Sequence, residues 1–228
     1  MKEIIKIDKV SMSFDGKEVF ENINLHIYEN QLISIVGKSG IGKSTLLRIL
    51  GGFESTYTGK LIMKDKISLD PDRDRLMIFQ DFDQLFPWKK LIDNVMFPMI
   101  KLLKLDKNQA KSQALRYLEM VGLKDQAEKY PRELSGGMKQ RGAIARALAL
   151  KPKVLLMDEP FGSLDMITRE SLQELILKLK EELDMTIIFV THDLREAVRI
   201  SDRIVLLKDD GVMEITGMES VEEIKGLM

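Results

Sequence analysis

The 228-residue sequence predicts an α/β fold built on a mostly parallel sheet. Three observations predict it. Short apolar runs bounded by polar residues recur at 32–37 (LISIVG), 153–158 (KVLLMD) and 186–192 (TIIFVTH), as buried strands covered on both faces require. Segments of helical period lie between them, and a glycine-rich turn joins the first run to a helix.

The elements follow in order. Ile5 and Ile7, then Val10, Met12 and Phe14, alternate like a strand, with a slip near Lys9. The helix TLLRILGG after the glycine-rich turn ends at Gly51 and Gly52. The run RLMIFQ is a further strand ending at Gln80. From about 87 to 152 strand signals fade, and two or three helices are expected, one carrying the stripe Ala110, Ala114, Leu115, Leu118 and Val121. Ser135 reads as the N-cap of GGMKQRGAIARALAL. A second stripe joins Leu172, Leu175, Ile176, Leu179 and Leu183. Asp193 with Glu196 reads as an Asp-type capping box. RIVLLKDDGVMEI reads as two strands about an Asp-Gly turn, an antiparallel appendix rather than another βαβ unit. With no linker or repeat, the expectation is one domain over 1–228: a core from about 1–86 and 153–228, and an inserted helical part at about 87–152.

Composition removes several function classes. There is no cysteine, so disulfides, thiolate metal sites and cysteine nucleophiles are excluded, and the only histidines are His26 and His192. The 35 basic against 36 acidic residues give a net charge of −1, unlike the basic footprint of a nucleic-acid binder. No apolar run approaches the ~20 residues that span a bilayer, and MKEIIKIDKV has no signal-peptide core. The expectation is a cytosolic protein that reaches a membrane only by docking on something else.

Gly37-Lys38-Ser39-Gly40-Ile41-Gly42-Lys43-Ser44, followed by Thr45, is G-x-x-x-x-G-K-[ST] between a strand and a helix. Glycines let the backbone curl so that successive N–H groups face an anion, and the helix N-terminus adds its dipole. Lys43 is then placed to neutralise β- and γ-phosphates, and Ser44 to offer a hydroxyl to Mg²⁺. The strand Val154–Met157 ends in Asp158 and Glu159. Asp158 suits the Mg²⁺ shell. Glu159 suits orienting an attacking water, since a carboxylate of ordinary pKa (about 4.3) is a weak base and phosphoryl transfer depends mainly on positioning.

Leu134-Ser135-Gly136-Gly137-Met138-Lys139-Gln140-Arg141 resembles the signature of ATP-binding cassette (ABC) transporter ATPases. The resemblance covers the whole chain and implies a P-loop NTPase core, an antiparallel β subdomain and a helical subdomain insertion. It implies that Phe14 stacks on adenine, with a place in the protein's own core as the alternative. It makes Gln80 the glutamine that reaches the metal and the attacking water, Ser163-Leu164-Asp165 the D-loop, and His192 the switch histidine beside the γ-phosphate. His26 matches no motif. It further implies two cassettes packed head to tail, a homodimer or a pair with a second cassette, in which Ser135, Gly136, Gly137 and Asp165 of one copy complete the ATP site of the other. ATP and Mg²⁺ are the implied ligands.

A single cassette without a membrane span implies docking on permease subunits at the cytoplasmic face, near residues 80–88. There Phe82, Leu85, Phe86 and Trp88 either meet a short helix of the membrane partner or fill the protein's own core, and both hold if the segment is shared. The stretch FPWKKLIDNV resembles the ATPases of nitrate, sulfonate, taurine and thiamine-precursor importers, which implies an extracytoplasmic solute-binding protein upstream. The chain stops soon after the last hairpin, so no C-terminal regulatory domain is expected. The alternatives are an exporter or lipid-extraction ATPase and, further off, a soluble non-transport ABC protein.

Overall fold

The computed structural model describes residues 2–64, 66–67, 70–81, 83–208, 211–215 and 221–227. In chain order its elements are β1 (Glu3–Phe14), β2 (Lys17–Tyr28), β3 (Leu32–Val36), α1 (Lys43–Gly51), β4 (Tyr57–Met63), β5 (Lys66–Ile67), β6 (Arg75–Ile78), α2 (Leu91–Leu102), α3 (Lys107–Met120), α4 (Gly136–Leu148), β7 (Val154–Asp158), α5 (Met166–Leu183), β8 (Thr186–Val190), α6 (Leu194–Ile200), β9 (Arg203–Lys208), β10 (Gly211–Ile215) and α7 (Val221–Leu227).

The central sheet runs β10-β9-β3-β8-β7-β6, parallel except for β10. β3, β7 and β8 are buried at every position, as strands covered on both faces must be. A second, antiparallel sheet runs β2-β1-β4-β5. The slip expected near Lys9 is a register shift between Ile7 and Val10, with Lys9 in the left-handed region at φ 54°.

Two cores cover the two faces of the central sheet. Leu46, Leu47 and Leu50 of α1 pack with Ile33, Ile35 and Leu156 on one side and Ile5, Ile7 and Leu61 of the antiparallel sheet on the other. The opposite face meets the helices, where Leu155, Met157 and Phe189 join Val95, Leu118, Ile144 and Leu172. Both predicted stripes point into this second core: Ala110, Ala114, Leu118 and Val121, and Leu172, Leu175, Ile176 and Leu179, are buried.

Two sequence readings need correction. β9 is not part of an appendix: it pairs in parallel with β3, so α6 is a crossover helix and only β10 is the antiparallel addition. Its run IVLL, buried throughout, already carried that signal. Asp209 and Asp210 of the expected turn lie outside the described residues. The Asp193–Glu196 capping box also does not form. Asp193 caps α6 by accepting the Arg195 N–H at 2.9 Å, but the Asp193 N–H is taken by Thr191 Oγ1 at 3.0 Å. Glu196 instead accepts from the Thr191 hydroxyl at 2.5 Å.

Candidate active site

The strand order places the site. β3, β8, β7 and β6 lie side by side and parallel, so the segments leaving their C-terminal ends gather along one edge. After β3 comes the glycine loop, after β8 His192, after β7 Glu159, and after β6 Gln80. Four segments far apart in sequence thus meet.

The loop is held open from inside. The Lys43 ammonium donates to the carbonyls of Gly37 and Lys38, both at 2.9 Å, so it spans the cradle that its own chain forms. Gly40 and Gly42 take φ 81° and 100°, where a side chain is strained. Gly42 has a second constraint absent from the motif: a Cβ there would meet Val19 Cγ1 at 2.6 Å and Phe20 Cδ1 at 2.8 Å, so β2 walls the loop. Burial lowers the pKa of Lys43, while the carboxylates of Glu159 and Asp158 oppose that shift.

Ser44 and Asp158 face each other, the hydroxyl donating to Asp158 Oδ1 at 2.8 Å. Burial raises the Asp158 pKa against the opposing effect of that hydrogen bond. One residue on, Glu159 adopts φ 43°, a left-handed conformation uncommon for a side chain of its kind. Its N–H still donates to Val190 O at 3.0 Å, so the turn begins while β7 is tied to β8. Both carboxylate oxygens are engaged: Gln80 Nε2 donates to Oε2 at 3.2 Å, and His192 Nδ1 lies 3.3 Å from Oε1. Gln80, Glu159 and His192 therefore form one constellation, with Lys43, Ser44 and Asp158 beside it.

The remaining sequence candidates stand apart. Ser135 caps α4 by accepting the Met138 N–H at 3.3 Å. Gly136 opens the helix, and Gly137 is required by packing, since a Cβ there would run into Thr168 of α5. Asp165 caps α5, accepting from Thr168 N at 3.0 Å and Thr168 Oγ1 at 2.6 Å, which lowers its pKa. No hydrogen bond or ion pair among the described residues links Ser135, Gly136, Gly137 or Asp165 to the chain's own glycine loop. Phe14, at the end of β1, is 49% exposed, so it is not core. The aromatic segment after Gln80 is split: Leu85 is buried, Phe86 is half-buried, Trp88 is 70% exposed, and Phe82 lies outside the described residues.

Two functional features escaped the motifs. The strained backbone of Glu159 has no sequence signal in a Glu. The wall of the loop at Val19 and Phe20 depends on where β2 lies against Gly42, and no local pattern reports that.

Such a loop at a strand–helix junction, with a serine–carboxylate pair at its mouth, defines a P-loop nucleoside-triphosphate-binding protein. The comparisons narrow the class. The family model "ABC transporter" matches residues 20–162, and the chain belongs to the ABC transporter family of ATP-binding ATPases. It is 43% identical over 205 residues to the aliphatic sulfonates import ATP-binding protein SsuB 3 of Pseudomonas syringae pv. syringae, covering 90% of this chain and 73% of that one. It is 38% identical over 222 residues to the nitrate import ATP-binding protein NrtC of Synechococcus elongatus, covering 94% of this chain and 33% of that longer one. Among solved structures, the dimeric post-hydrolysis state of the ATP-binding cassette MJ0796 bound to ADP and Pi superposes with a TM-score of 0.81 at 34% identity, over 95% of this chain and 100% of that one. The cassette cbiO1 of Clostridium perfringens, part of the transporter complex cbiONQ, superposes with a TM-score of 0.89 at 27% identity, over 100% of this chain and 93% of that one.

Proposed function

We propose that this chain is the ATP-hydrolysing subunit of an importer, working as a pair of cassettes on the cytoplasmic face of a membrane. The observation that carries the catalytic assignment is the double anchoring of Glu159 by Gln80 and His192 beside the Ser44–Asp158 pair. Lys43 and the loop N–H groups bind the phosphates. Phe14 stacks on adenine. Glu159 and His192 orient the attacking water, and Gln80 holds the glutamate from the other side.

The oxygen donors of Ser44, Asp158 and Gln80 fit Mg²⁺. No cluster of three His, Asp or Glu side chains among the described residues holds a metal alone, which suits an ion that leans on substrate phosphate for its remaining ligands. Magnesium bound there would neutralise charge on the β- and γ-phosphoryl oxygens.

The signature end supports the pairing. Ser135, Gly136 and Gly137 present a helix N-terminus with no hydrogen bond to an acidic side chain among the described residues, and the solved cassette MJ0796 is dimeric with ADP and Pi bound, which supports a second copy supplying the anion. Gly137 and Ser135 would then contact the partner's γ-phosphate, with Asp165 at the same seam. The helical stretch 87–152 would carry the signature as a subdomain of the single cassette.

The membrane partner has a fitting surface. A groove of about 330 Å³ beside β6 is lined by Met77, Gln84, Phe86, Phe97, Arg146 and Ala147. Arg146 frames it, donating to Gln84 O at 2.8 Å with its guanidinium 5.3 Å from the Phe86 ring centre. An apolar groove with one polar wall suits a short helix of a permease subunit. No described helix is long and apolar enough to cross a membrane. The sulfonate and nitrate relatives support a small anionic cargo, delivered by an extracytoplasmic binding protein. The test is reconstitution with the permease and binding protein. Transport of a sulfonate or nitrate that stops on Glu159→Gln supports the proposal, and ATP-driven export of lipid or drug instead would overturn it.

A further inference from the structure

We infer that Arg169 is a positioning residue that ties the segment bearing Asp165 to the switch histidine, so that a push on one is felt by the other. The inference rests on the reading of His192 and Glu159 given above.

Arg169 lies one turn into α5, its N–H bonded to Asp165 O at 2.9 Å. Its guanidinium folds back instead of reaching into solvent. Nη2 donates to Leu164 O at 3.2 Å, one residue before Asp165. Nη1 lies 3.8 Å from Asp193 Oδ2, and Nε lies 3.6 Å from Glu196 Oε1. One planar group therefore spans two segments that flank the site from different elements.

Glu196 carries the link onward. It is buried, and its second oxygen accepts from Thr191 Oγ1 at 2.5 Å. That same hydroxyl accepts the Asp193 N–H at 3.0 Å, and the Thr191 N–H is tied to Ile35 O at 3.2 Å. Thr191 is adjacent to His192, which faces Glu159 at 3.3 Å. The connection runs Leu164 O, Arg169, Glu196, Thr191, His192, Glu159. It closes both sides of His192, because Asp193 is also held.

The chemistry requires arginine. A buried carboxylate needs a counter-charge, and one left unpaired is costly. An ammonium supplies charge but no fork, whereas a guanidinium bonds the Leu164 carbonyl while holding its charge 3.8 Å from Asp193 and 3.6 Å from Glu196. Arg169 Nε is buried and has no hydrogen-bond partner in this arrangement. A buried donor without a partner gains from any approach of Glu196. Contact of a second cassette with the Asp165 segment would supply such an approach through the Leu164 carbonyl.

The test is steady-state ATP hydrolysis by the purified full chain, with nucleotide affinity measured separately using a fluorescent ATP analogue. Arg169→Met should lower kcat about tenfold with KM and analogue affinity unchanged within about twofold. Arg169→Lys should recover only part of kcat. Glu196→Gln should lower kcat similarly, and the double variant Arg169→Met/Glu196→Gln should be no worse than the poorer single, because both cut one connection. Wild-type kcat in folded Arg169→Met would overturn the inference, as would strictly multiplicative losses in the double variant. Should Arg169→Met fail to fold, wild-type kcat in Arg169→Lys would overturn it. His192→Ala is assayed alongside. Full activity of His192→Ala sinks the reading of the histidine. A dead His192→Ala beside normal Arg169 variants sinks only the present inference.

Discussion

The glycine-loop region and the signature end are both helix N-termini with glycines, yet their side chains are used differently. Around Lys43 the polar groups reach across elements: Ser44 to Asp158, Gln80 to Glu159, and His192 to Glu159. The side chains of Ser135 and Asp165 themselves stay local, each capping its own helix. The first region is assembled by the chain itself. The second is a capped helix end that no hydrogen bond or ion pair among the described residues links to the glycine loop. On the proposed reading, the first would hold a phosphate group and the machinery to attack it, and the second would be a surface for a neighbour.

Breaking the assembled half should give the largest effect. Glu159→Gln should cut steady-state hydrolysis by at least about a hundredfold, the contribution expected of a positioned base, while ATP still binds. A colorimetric phosphate assay and equilibrium dialysis read the two arms. Near-normal turnover would falsify the assignment of Glu159. Next comes the surface beside the groove, where exposed Trp88 lies 5.5 Å from the Phe86 ring of the groove wall. Trp88→Ala should weaken assembly with the permease about tenfold and leave nucleotide affinity alone, as removal of an exposed aromatic anchor does. Co-purification with the permease measures it, and unchanged recovery would refute Trp88 as part of the docking surface.

The smallest effect is on stability, and its sign is opposite. Asp158 is 5% exposed and burial raises its pKa, so its ionisation opposes folding in the nucleotide-free protein. A carboxylate with a raised folded-state pKa contributes stability that is present below the unfolded value, about 3.9, and is lost as pH rises through the folded value. Asp158→Asn, which still accepts from Ser44, should therefore stabilise the nucleotide-free protein slightly near pH 7. The gain should shrink toward pH 4, while hydrolysis is lost. Thermal melting across pH reads it, and a variant less stable at pH 7 would contradict the burial argument.

What the sequence revealed divides along the same line. Features encoded locally were legible: the loop from Gly37 to Ser44, the cap at Ser135, and the stripes that fill the helical core. The slip near Lys9 was legible because a change of phase in a period-two pattern marks it. What depends on strand order was not. The parallel pairing of β9 with β3 follows from the sheet's arrangement, which no local pattern specifies, and the meeting of Gln80, Glu159 and His192 was legible only through the family resemblance. Glu196 was misread because its spacing from Asp193 satisfies the capping-box pattern, while Thr191 and Arg169 claim its carboxylate in three dimensions.

Whether the signature end serves a second copy can be measured without any membrane partner. In sedimentation equilibrium with saturating ATP, Glu159→Gln should run as a dimer, return to monomer with ADP, and remain monomeric with ATP once Ser135→Arg is added. A Glu159→Gln protein that binds ATP yet stays monomeric, or one whose dimer ignores Ser135→Arg, would contradict a shared site.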